Sequence, residues 1–128
     1  MGAARAELVV ALQGALMRAA SGFGAEPAVA PHAGRVLAAA AALDYVLMLA
    51  RGDAGVRIPA EDAERAMRDG ITRAVDELIR IAGAIATLGS ADARAFAHEV
   101  ARTIGDALAA EGLGGDDRRF AVIALANA

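Results

Sequence analysis

The sequence predicts an all-α fold: a four-helix bundle with a short fifth C-terminal helix and one long third helix over about residues 59–89, built as a single helical-bundle domain over residues 1–128. Three observations lead there. Alanine, the strongest helix former and one that adds little area to bury, supplies 37 of the 128 residues, about half of the apolar total. Strand-like alternation is nearly absent. Finally, Met67, Ile71, Ala74, Leu78, Ile81, Ile85 and Leu88 recur at alternating spacings of four and three, which is a helical seam.

The first helix is expected from about Ala3 to Ala20, with Leu8, Leu12, Ala15, Leu16 and Ala19 on one stripe and Ser21 and Gly22 ending it. Two glycines and two prolines in SGFGAEPAVAPHA then predict an irregular connection about a dozen residues long. Pro31 suits the first position of the second helix, where an N–H has no internal partner to lose. Val36, Ala40, Leu43, Leu47 and Ala50 form its stripe, and Gly52 and Gly55 close it.

Pro59 opens the third helix, with Glu61, Asp62 and Glu64 near its positive dipole end. A second apolar line, Val75, Ile79, Ala82 and Ala86, widens the seam toward the C-terminal half, so that end is expected to be central and buried. Its exposed face places Glu61 before Arg65, Glu64 before Arg68, Asp69 before Arg73 and Asp76 before Arg80, each acid four residues ahead of its arginine. Such pairs contribute about 0.2–0.5 kcal/mol each. Gly89 stops this helix, Ser90 caps the fourth with Asp92 in its first turn, and Phe96, Val100, Ile104, Ala107 and Leu108 form the fourth stripe. After the Gly112, Gly114 and Gly115 cluster, Asp116 or Asp117 is expected to cap the fifth helix, which docks through Phe120, Ile123 and Ala124. Gly14, Gly70, Gly83 and Gly105 fall inside helices, where close helix crossings are the expected compensation for their poor helix propensity.

Composition excludes several functional classes. With no cysteine there are no disulfides, thiolate metal sites or cysteine nucleophiles, and a cytoplasmic location is expected. All 13 basic residues are arginine and the net charge is −3, which argues against nucleic acid, where a basic stripe and stacking aromatics are needed. The longest apolar run, 36–50, contains Asp44 and is shorter than the roughly 20 residues a spanning helix requires, so no membrane role is expected. No lysine and no glycine-rich loop after a strand support nucleotide binding, and Ser21 and Ser90 punctuate helices, leaving no hydrolytic triad.

Candidate sites follow from the helices. A third helix of about 30 residues would overhang its neighbours, so the charged-end seam residues Met67 and Ile71 need a cover: the fifth helix, the Phe23 loop or a second subunit. A homodimer seam through Met67, Ile71, Ala74 and Leu78 is the leading expectation, with association with itself or with a larger protein partner as the function and no reaction of its own. Ile71→Asp should then break the assembly and spare helix content. Asp44, interrupting an apolar helix, is expected at the wet edge of its stripe or in a polar cluster with Tyr45 or Arg35.

His98 is the second candidate, with Arg94 and Arg102 one turn to either side and Gly105 two turns on. A histidine flanked by cations on a four-helix bundle resembles the phosphotransfer domains of two-component relays, over this helix alone. The resemblance implies a phosphoryl group on His98, supported by Arg94 and Arg102. In that family a cation and a small glycine follow the histidine by three and four residues, where this chain has Ala101 and Arg102. A third expectation is a bundle whose alanines leave a cavity for a small apolar ligand. No metal or other cofactor is expected: neither histidine follows a glutamate in Glu-x-x-His register, and the segment 53–62 lacks the alternating acids of a calcium loop.

Overall fold

The computed structural model describes residues 2–53 and 57–128, which form five α-helices and no strand: α1 (Gly2–Phe23), α2 (Ala30–Arg51), α3 (Ala60–Ala86), α4 (Ala91–Glu111) and α5 (Asp116–Ala126). α1 to α4 pack in chain order around a ring, with α1 and α3 also meeting across the middle, and α5 lies against α3 and α4. α3 touches all four other helices. Its centrality follows from the seam: Ile71, Ala74, Val75, Leu78, Ile81, Ala82 and Ile85 are buried, while the acid-rich first turns stay exposed.

α1 runs through Ser21 and Gly22 rather than stopping there. Phe23 ends the helix packed on Phe96 of α4, ring centroids 5.5 Å apart. The connection to α2 is therefore only six residues, 24–29, with Val29 plugged into the core and hydrogen-bonded back to Glu26. α2 starts beside Pro31 and ends in a Schellman turn: Gly52 takes the left-handed conformation, its N–H meets the Leu49 carbonyl, and the Asp53 N–H meets Met48. Gly55 and some of the segment 53–62 lie outside the described residues. The buried side of α2 is Val36, Ala39, Ala40, Leu43 and Val46, rotated from the expected stripe, with Leu47 and Ala50 only half-buried.

At 27 residues α3 is about 40 Å long against about 32 Å for its neighbours, so the overhang is real but shorter than expected. Ser90 caps α4 by accepting from the Ala93 N–H. α5 departs from expectation in both its cap and its docking face. Gly115 is its cap, with Asp116 and Asp117 in the first turn, and the docking residue is Leu125, helped by Val122; Phe120 and Ile123 face outward at 66% and 56% exposure, and Ala124 is exposed too.

Close crossing accounts for one interior glycine. A Cβ at Gly70 would lie 2.4 Å from Val46 Cγ2, so α2 and α3 meet there at a distance only glycine allows. Gly83 and Gly105 have nothing within 4 Å of that position, and Gly14 only the arginine tip of its own helix. Gly83→Ala is therefore expected to raise stability by about 1 kcal/mol, seen as a higher urea midpoint, while Gly70→Ala lowers it.

Candidate functional site

α2 touches only α1 and α3, which leaves one side of it without a neighbour in the chain. That side is apolar. Leu37, Tyr45 and Met48 are each 42–45% exposed there, and the exposed small residues Gly34, Ala38 and Ala41 run along the same outward line. On α1, Val10 and Met17, 46–47% exposed and seven residues apart, continue the surface. Gln13 joins the two helices by donating to the Ala40 carbonyl at 2.8 Å and to Asp44 Oδ1 at 2.7 Å. Asp44 is thus at the exposed edge, with Gln13 rather than Tyr45 or Arg35 as its partner. Arg35, in the second turn of α2, turns to Glu77 of α3 and to His32.

The residues expected to form an oligomer seam lie within the single chain. Ile71, Ala74 and Leu78 are fully buried inside the single chain, and half-buried Met67 packs against the core under α1, with Arg5 Nη1 3.9 Å from its sulfur. Ile71, Ala74 and Leu78 belong to the core of the chain, and Met67 lines a groove with Leu8 of α1, Leu49 of α2 and Glu111 of α4.

The acid–arginine ladder of α3 also turns out differently. Glu64 and Glu111 of α4 both accept from Arg5 of α1, and Arg68 donates to the Glu111 carbonyl. Arg118 of α5 forms a two-pronged pair with Asp76 at 2.9 and 3.0 Å. Within α3, Arg65 pairs with Asp62 and Arg80 with Glu77, three residues apart rather than four. The hydrogen bonds from Arg5 hold the Glu64 carboxyl below its ordinary range, and the two carboxylates keep Arg5 firmly charged; Asp76 does the same for Arg118. Sequence reading missed Arg5, Glu77, Glu111 and Arg118. Arg5 carried a signal, since it stands seven residues before Leu12, in register with the α1 stripe. Glu77 likewise stands three after Ala74 and four before Ile81.

Two hollows lie elsewhere on the surface. A groove of about 710 Å³ beside Arg5, Glu64, Met67 and Glu111 has its acids and arginines matched against each other. A cleft of about 580 Å³ between α4 and α5 is lined by Leu108, Leu113, Val122 and Ile123. Among the described residues no group of three metal-ligating side chains converges.

His98, Arg94 and Arg102 share the outer face of α4 and are exposed. The imidazole Nε2 lies 2.9 Å from the Ala128 carbonyl oxygen, and Arg94 donates to the Gly89 carbonyl at 2.7 Å. Two of the three groups that would serve a phosphoryl ligand, His98 and Arg94, thus meet backbone carbonyls. In comparisons with known proteins, no family model, curated protein or solved structure matches the chain.

Proposed function

We propose that this protein works by association with a second copy of itself, through the outer face of α1 and α2, and carries out no reaction of its own. One observation carries this reading: α2, apolar along most of its length, turns Leu37, Tyr45 and Met48 outward at 42–45% exposure on a side that no other helix of the chain covers. A helix that apolar on all sides belongs in an interior. By length and composition it would also suit a membrane. Its place in the ring, the Gln13–Asp44 bond and the arginine turned to Glu77 favour a protein cover over a lipid one.

The dimensions agree. Helices of 22 residues are about 33 Å long, and a pair packed 8–10 Å apart is about 20 Å across, giving roughly 650 Å² of footprint on each partner. Stable dimers bury roughly 800 Å² per partner. The cysteine-free sequence suits the reducing cytoplasm as the place where such a dimer would operate.

Leu37→Glu tests the reading, because it places a charge in the centre of the face at a position already exposed in the monomer. Native mass spectrometry should show a wild-type dimer and a monomeric variant, with unchanged far-ultraviolet circular dichroism. A wild-type monomer that binds anionic or neutral lipid vesicles would overturn the proposal in favour of a membrane surface; a monomer in every condition would overturn it outright.

A further inference from the structure

We infer that the partner copy docks about a twofold axis that passes over Ala41 of α2 and between Gln13 and Gly14 of α1, so that α2 lies antiparallel on the partner's α2 and α1 on the partner's α1. This rests on the association reading above and specifies its geometry.

The register comes from the arrangement of the exposed side chains. Gln13 reaches both the Ala40 carbonyl and Asp44, which sets Gln13 and Gly14 level with the middle of the 40–44 turn. A closed pair related by a twofold axis sets residues equally far before and after the axis against one another. With the axis at Ala41, Leu37, four residues before it, meets the partner's Tyr45, four after. Gly34, seven before, meets the partner's Met48, seven after, and the space above Gly34 is open to receive it. At the same level on α1, Val10 meets the partner's Met17. One operation therefore gives all five large exposed apolar residues of this face an apolar or small partner. It also sets Asp44 against the partner's Ala38, and the two Asp44 carboxylates lie roughly 9 Å apart along the helix direction, which avoids a direct like-charge contact.

Small residues at the axis matter for the same reason. Ala41 and Ala38 let the two α2 helices approach to about 8–10 Å, which brings the paired Ala41 Cα atoms to about 5 Å, within the span of a disulfide.

Because the chain has no cysteine, Ala41→Cys introduces a single thiol. Ala95→Cys, exposed on α4 across the ring, is the control. Under mild oxidation at micromolar protein, Ala41→Cys is expected to form a covalent dimer on the order of tenfold or more faster than Ala95→Cys, since the paired thiols share a high effective concentration. An equimolar mixture of Gly34→Cys and Met48→Cys should likewise cross-link faster than either alone. If wild type is dimeric by native mass spectrometry but Ala41→Cys links no faster than the control, the axis is wrong and the association reading stands. A monomeric wild type overturns both.

Discussion

Ile71→Asp is expected to unfold the chain rather than to dissociate a dimer. Ile71 is fully buried, at the point where the seam of α3 enters the core. Replacing it removes a large apolar side chain, which alone costs about 2–5 kcal/mol, and adds a carboxylate with no partner to meet it. The combined loss, about 5 kcal/mol or more, is comparable to the whole stability of about 5–15 kcal/mol expected of a domain this size. Far-ultraviolet circular dichroism at pH 7 should show loss of most of the helical signal, whereas Ile71→Val costs only about 0.5–1.5 kcal/mol and keeps it. A variant with wild-type helix content and a cooperative urea transition would mean that Ile71 is not in this core.

Arg5→Met is expected to cost about 2–3 kcal/mol at pH 7, measured as a lowered urea midpoint. The guanidinium joins the first turns of α1 to Glu64 of α3 and to Glu111 of α4, whose side chain is only 7% exposed. Without Arg5, the Glu111 carboxylate stays buried with its main counter-charge gone, which is where the cost lies; the half-exposed Glu64 adds little. The pH dependence supplies the sign. Because the folded Glu64 carboxyl titrates below its ordinary 4.5, the link contributes stability above that pH and loses it as pH falls through the lowered value. Wild type and variant should therefore draw together only by the small Glu64 share as pH falls through that value. A difference that does not narrow at all in acid would mean that Glu64 takes no part in the link.

Much of this architecture is legible in residue spacing, and the failures share a physical cause. The seam of α3 and the stripe of α4 can be read from sequence because charge and apolar residues alternate there, so a helical period stands out. α2 offers no such contrast. With nearly every side apolar, the choice between Ala39 and Val46 on one side and Leu47 and Ala50 on the other depends on where α1 and α3 lie, which spacing does not encode. The ladder of α3 fails similarly: Glu64 and Asp76 each have an arginine four residues on, but Arg5 and Arg118 approach from other helices with better geometry. In α5, a buried Leu125 and an exposed Phe120 invert the order that side-chain size alone suggests. The candidate face on α1 and α2 is hidden for the opposite reason, since exposed Leu37, Tyr45 and Met48 look like core residues until the fold shows nothing above them.

The position of α3 as the one helix in contact with all the others also has a consequence in time. During synthesis, α1 and α2 leave the ribosome first, and between them they hold the most apolar helix in the chain. At about 5–20 residues per second, the 27 residues of α3 take a further one to five seconds or so to appear. For that interval the nascent chain shows the outer face of α2 together with the side that α3 later covers.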